Sequence, residues 1–354
     1  MTVQVPTGPA LPRLFVVLVG GAAAVILVVG LRSLAWLIGP LLLALVVVIT
    51  VRPVETWLRR RGLPGWLSST VLVLLVYAVV AALAGTILVS LARLATVLPG
   101  YRAEAAALVG DLVGQLAALG IGVVPIRELA AGLDLGRVAG VAAGVLSGVV
   151  GLAGSLVFLF SLLLFLAIES GGFRAKLGVL AGVRPAVAGV LGDFVRGTRR
   201  FLVVTTVFGL LTAVVDTVVL LALGVPLAVL WGLLAFITNY IPYVGFFIGV
   251  VPPALLALLE GGPGLALVVV VIYLVVNFVL CSLVQPRYIG DAVGLSLTVV
   301  FLSLGFWAWL LGPLGAVLAI PLTLLVKALL VDVDPRAAWL GDLLAAGPAD
   351  KGDA

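Results

Sequence analysis

Polar residues able to handle a solute gather at three places in an otherwise apolar sequence. Thr238, Asn239, Tyr240 and Tyr243 form the densest group, woven into the run Asn239-Tyr240-Ile241-Pro242-Tyr243-Val244-Gly245. Proline lacks a backbone N–H and clashes with the preceding turn, while glycine permits sharp reversal, so Pro242 and Gly245 predict a broken helix. Inside a membrane, the backbone groups freed by such a break are tolerated only in protein interior or beside a water-filled cavity. That leaves two readings, a substrate site or a structural kink with satisfied caps. The second group, Tyr273, Asn277, Cys281 and Gln285, advances in four-residue steps and makes one slowly drifting helical stripe. Polar groups are costly against lipid, so the stripe faces protein, where it either lines a pathway or bonds a neighbouring helix. The third is Asp216, the one acid well inside an apolar span. An ionised Asp at a helix centre costs about 2.5–3.5 kcal/mol on insertion scales, less towards the ends. A counter-charge, a bound cation or protonation would offset this, and the last two make Asp216 the ion-coupling candidate. A shallow, water-exposed position is the alternative.

Gln285-Pro286-Arg287 and Asp291 close the helix that carries the stripe, and Arg287 and Asp291 are gate candidates or ordinary interfacial charges. Gly312-Pro313-Leu314-Gly315 is a second interruption of the same kind, and joins the candidate pathway with the first. Missing residues narrow the chemistry further. There is no histidine, which excludes histidine acid/base chemistry and histidine metal sites, and Cys281 is the sole cysteine, so no disulfide forms within the chain. No phosphate-cradling loop, metal-ligand cluster or nucleophile constellation occurs. An enzyme, ATP-driven transport and a cofactor are therefore not expected.

The elements that must position these residues are membrane helices. Seven stretches carry no charge at all: residues 14–31, 33–51, 62–92, 138–168, 217–259, 261–286 and 292–326. A helix crosses the bilayer core with roughly 20 apolar residues, so each stretch holds at least one near-full span. Hydrophobic residues make up 64% of the chain and charged residues 10%. Soluble domains carry roughly 25% charged residues, so the partner of this chain is a lipid bilayer. The net charge of +5 would suggest nucleic acid for a soluble protein, but its distribution points to topology instead. With the N-terminus inside, 15 of the 20 Lys and Arg fall on inside segments, which predicts cytoplasmic termini.

The expected fold is all-α and polytopic, with about eight membrane segments, two of them broken helical hairpins. Residues 1–200 make an N-terminal four-helix part, with helices near 14–31, 33–51, 68–92 and 146–168. The first of these is expected to stay as a membrane helix rather than be removed as a signal. Residues 52–68 read as a cytoplasmic connector, 94–137 as an external segment containing an amphipathic helix, and 169–200 as a basic, helical connector in the cytoplasm. Residues 201–331 form a transport core with a helix over 201–223, a helix near 264–285, and broken segments at 225–259 and 295–330; residues 332–354 are a tail. A helix of 35 residues would measure about 52 Å, beyond the bilayer core, hence hairpins, either re-entrant or made of two full crossings, which give the same topology. The broken segments share a loose pattern, Gly245 to Pro252 and Gly315 to Pro321, which suggests an internal repeat of the secondary-transporter kind.

At these residues the chain resembles the autoinducer-2 exporter family of bacterial membrane proteins. The opening signature spans Gly39 to Ser69, with Pro40, Arg52-Pro53 and Trp57-Leu58-Arg59-Arg60-Arg61-Gly62. More specific are Ile241 to Gly245 with Pro252, then Tyr273, Gln285-Pro286 and Gly290, then Gly312, Gly315, Ala319, Pro321 and Leu322. The chain departs from the family where many members carry an acid followed by Asn, here Leu280, Cys281 and Ser282, and a His-Pro-like pair, here Ser296 and Leu297. The resemblance implies an inner-membrane location, a homo-oligomer, and export of autoinducer-2 or, for some members, sodium/proton antiport. The expected function is a secondary transporter of a small organic solute working by alternating access, with or without cation or proton coupling. A Na+/H+ antiporter, an oligomeric channel and a non-transporting scaffold are the alternatives.

Overall fold

The computed structural model describes residues 13–118, 158–166, 176–289, 294–334 and 337–344, together with residues 140, 144 and 172. Among the described residues all regular structure is helical, as expected. Five helices among the described residues are long and apolar enough to cross a membrane: Ala35–Arg60, Gly65–Tyr101, Pro185–Ala222, Val244–Ile289 and Pro313–Asp332. Shorter apolar helices accompany them at Leu18–Ser33, Ala228–Thr238 and Leu297–Leu311. The chain is a polytopic membrane protein.

α1 (Arg13–Ser33) and α2 (Ala35–Arg60) meet at a turn at Leu34. α2 runs through Pro53 to Arg60, so much of the expected connector 52–68 is helix, and the turn is confined to Arg61–Pro64. The buried carboxylate of Glu55 explains the extension. It accepts from Arg59 Nη2 at 2.7 Å and from Ser69 Oγ at 2.9 Å, fastening the end of α2 to the start of α3 (Gly65–Val97). A short 3₁₀ turn, Leu98–Tyr101, leads into α4 (Arg102–Ala118), a helix within the expected external segment. α5 covers residues 158–166 and α6 residues 176–183.

α7 (Pro185–Ala222) joins residues 185–200 of the expected basic connector to the next span in one helix of 38 residues. Pro185 sits at its start, where a missing N–H costs nothing because that donor lies outside the ladder. Its buried residues include Thr198, Phe201, Thr205, Phe208, Thr212, Asp216 and Leu220, which recur every three or four positions and form one inward face. α7 is thus the central post of the fold.

Both expected breaks are present. α8 (Ala228–Thr238) ends at the Asn239–Tyr243 turn, and α9 (Val244–Asn277) returns. At Gly261 and Gly262 the backbone of α9 leaves helical geometry, with Gly262 at φ 73°, which separates the returning arm from the helix bearing Tyr273 and Asn277. A π-helical stretch, Phe278–Val284, and α10 (Gln285–Ile289) continue it. The second hairpin is α11 (Leu297–Leu311) and α12 (Pro313–Lys327), hinged at Gly312 with φ 68°. A π-helical turn, Ala328–Asp332, and α13 (Ala338–Leu344) follow. The 11 residues of α8 rise about 16 Å, too short to cross a core of about 30 Å.

The two hairpins point in opposite directions. Asn239 and Tyr240, at the first tip, bond Thr205 and Thr206 in the N-terminal half of α7's apolar part. α2 runs antiparallel to α7, since Val46 shares a core cluster with Phe201 and Ile49 shares one with Phe194. The second tip lies beside the α1–α2 turn. There the Arg32 guanidinium stands 4.4 Å from the Trp309 ring, and Leu314 approaches Gly39.

Candidate functional site

The first break, α7 and the helix after the Gly262 kink enclose a cavity of about 650 Å³. Its wall includes Asp216, Thr238, Asn239, Pro242, Tyr243, Gly245, Tyr273, Asn277, Gln285 and Pro286, so the structure brings the first two polar groups and the lone acid into one place. Gly312, Pro313 and Gly315 do not line it; the second hairpin contributes Val300 and Ile320 instead. The tip of that hairpin points away to the α1–α2 turn, which is why its break and the cavity part company. Arg287 is exposed beside the rim residue Pro286, and Asp291 lies outside the described residues.

Asn239 organises the wall. Its Nδ2 donates to the Thr205 carbonyl at 3.1 Å, and its Oδ1 accepts from Cys281 Sγ at 3.4 Å. One side chain therefore ties the hairpin tip to α7 and to the π-helical stretch. The Tyr240 and Thr206 hydroxyls bond at 2.7 Å beside it, and Thr212 Oγ1 reaches Cys281 Sγ at 3.7 Å. Tyr243 caps α9 with φ 62°, a left-handed value uncommon for a residue with a Cβ. Such strain persists only where the surroundings over-determine it.

Three cavity-lining side chains are buried yet have a polar atom with no hydrogen-bond partner among the described residues: Asp216 Oδ1, Tyr273 OH and Thr205 Oγ1. Asp216 is 2% exposed, which removes the shallow, water-exposed alternative within this chain. Buried polar groups are nearly always paired, so these three covered atoms on one wall are exceptions to that rule. Among the described residues no cluster of His, Cys, Asp and Glu could hold a metal ion.

Sequence reasoning missed Thr205, Thr206 and Thr212. A signal existed: Thr198, Thr205 and Thr212 stand seven apart, with Asp216 four further on, which places all four on one helical face. Thr206, with Oγ1 2.7 Å from the Leu202 carbonyl, satisfies itself within its own helix and so carries no sequence signal.

Comparison with known proteins gives the same family for nearly the whole chain. Residues 14–333 match the family described as AI-2E family transporter. YhhT of Escherichia coli strain K12 is 32% identical over 307 residues, covering 86% of this chain and 87% of YhhT; its name marks a transport role as unproven and gives no substrate. The AI-2 transport protein TqsA, from the same strain, is 31% identical over 303 residues, covering 86% of this chain and 88% of TqsA. A transport-designated protein of Haemophilus influenzae is 30% identical over 332 residues, covering 92% and 95%.

Proposed function

The chain belongs to the AI-2E transporter family, and on that premise we propose that it exports a small organic solute such as autoinducer-2 by alternating access through the cavity. The observation that carries this reading is the cavity wall itself, where a broken helix, a polar stripe and unpartnered buried groups meet. Irregular backbone at membrane depth is tolerated where it lines such a space. A name attached to TqsA makes autoinducer-2 the first solute to try.

Two hairpins of opposite direction, flanking one cavity, supply the parts that alternating access needs. The Gly261–Gly262 kink and the π-helical stretch at Phe278–Val284 are the joints about which the polar stripe would tilt. π-helical stretches of this kind recur at functional sites. In the resting arrangement Asn239 holds the hairpin tip to α7 and the stripe, and a solute that competes for Asn239 would loosen both contacts together.

Cation or proton coupling is the second reading, and a Na+/H+ exchange its limiting form. It is favoured by Asp216, a buried acid whose Oδ1 has no partner among the described residues. Placement in the inner membrane with both termini cytoplasmic, and assembly as a homo-oligomer, belong to the same proposal. The test is counterflow in proteoliposomes: labelled autoinducer-2 should accumulate against preloaded unlabelled solute. Uptake no different from protein-free liposomes would refute the solute reading.

A further inference from the structure

The cavity is electrically one-sided. Asp216 is its only charged lining residue among those described, and no Lys or Arg joins the wall. Arg287 follows Pro286 but is exposed, and Arg200 Nε is engaged by the Tyr288 carbonyl at 2.8 Å. The hairpin tip does not offset this. α8 ends and α9 begins at the same turn, so the partial negative charge of one helix end and the partial positive charge of the other, each about half an elementary charge, largely cancel. When Asp216 is ionised, its full negative charge stands unopposed on the cavity wall, which is mostly apolar and screens it poorly. Asp216 is 2% exposed and its Oδ1 is unpartnered, and Tyr273 OH and Thr205 Oγ1 share that condition on the same wall. Oδ1 accepts and cannot donate while ionised, so what completes it must bring a positive charge or a hydrogen-bond donor.

We propose that the cavity is a charge-selective site, admitting cationic solutes and uncharged solutes rich in hydroxyl or amine donors while rejecting carboxylates and phosphates. This rests on reading the cavity as the solute site, and it adds the chemical class of solute. An anion entering beside ionised Asp216 would meet like charge in a poorly screened space, and no Lys or Arg among the described lining residues would receive it. A donor-rich solute that reaches Asp216 finds a carboxylate acceptor, with the Tyr273 hydroxyl on the same wall.

Cys281 allows a direct test, because it is the sole cysteine of the chain, lies partly exposed and lines the cavity. The full-length protein in lipid nanodiscs is treated with methanethiosulfonates of matched size, one bearing an ammonium and one a sulfonate. Each labelling rate is divided by that reagent's rate with a small free thiol. The ammonium reagent should be favoured by about tenfold or more, the scale on which a charged cleft focuses ions. Asp216→Asn should bring the ratio near unity, and Asp216→Glu should retain most of it, which separates lost charge from lost folding. Equal normalised rates, a preference that survives Asp216→Asn, or labelling by neither reagent would each overturn the proposal. Counterflow run in parallel keeps the two ideas apart. Autoinducer-2 counterflow that Asn239→Ala abolishes, alongside indifferent labelling, removes only charge selectivity; a charge preference without counterflow of any solute removes the transport reading instead.

Discussion

Asn239 donates to a backbone carbonyl of α7 and accepts from Cys281, so a single amide couples three segments around the cavity. Each such bond contributes about 0.5–1.5 kcal/mol net. Asp216 works differently, since it is buried and incompletely partnered rather than engaged. Asp216→Asn keeps the shape and removes the charge. Any dependence of transport on Na+ or on the proton gradient should vanish in that variant while the protein still folds; coupling that persists at the wild-type level contradicts the coupling reading. Asn239, Tyr273 and Asn277 were legible in the sequence because a polar residue in an apolar run needs a partner. Thr206 was hidden because it satisfies itself on its own helix, whereas the seven-residue spacing of Thr198, Thr205 and Thr212 was a legible signal that went unread.

At the scale of elements, each hairpin depends on one glycine directly after its break. A Cβ on Gly245 would overlap the Thr238 carbonyl oxygen, and one on Gly315 would overlap the Trp307 carbonyl oxygen. Gly245→Ala and Gly315→Ala should each destabilise by about 1–3 kcal/mol, the usual cost of overpacking. Gly305→Ala, within α11 and with open space around its Cβ, serves as the control and should leave the unfolding temperature within error or raise it. Thermal unfolding in detergent checks this, and a control as damaging as the two hairpin variants would contradict the packing account. Both breaks were legible because proline and glycine act locally. The lengths of α2 and α7 were not, because charges such as Arg52 and Arg200 were read as the limits of the spans. A helix leaving the bilayer has no reason to stop where its charges begin, and in α2 the Glu55–Ser69 bond gives it a reason to continue.

The whole molecule places two hairpins of opposite direction around one cavity, inside a set of helices apolar enough to span a bilayer. The direction of the hairpin tips was not legible, since hydropathy is blind to which neighbour a tip meets. That is also why Gly312, Pro313 and Gly315 were grouped with a cavity they do not line. The charge bias predicts how the molecule sits. A C-terminal fusion to a reporter fluorescent only in the cytoplasm should glow, and a periplasm-dependent phosphatase at the same position should stay inactive; the reverse pattern would invert the orientation.

The central claim is that solute passes through the cavity organised by Asn239. Its most direct test is labelled autoinducer-2 counterflow in proteoliposomes, comparing the unaltered protein with Asn239→Ala and Asn277→Ala at equal reconstituted amounts. The account predicts counterflow by the unaltered protein and a fall of about tenfold or more in each variant, the loss expected when roughly 1.4 kcal/mol of site interaction is removed. Counterflow by both variants equal to that of the unaltered protein would contradict it.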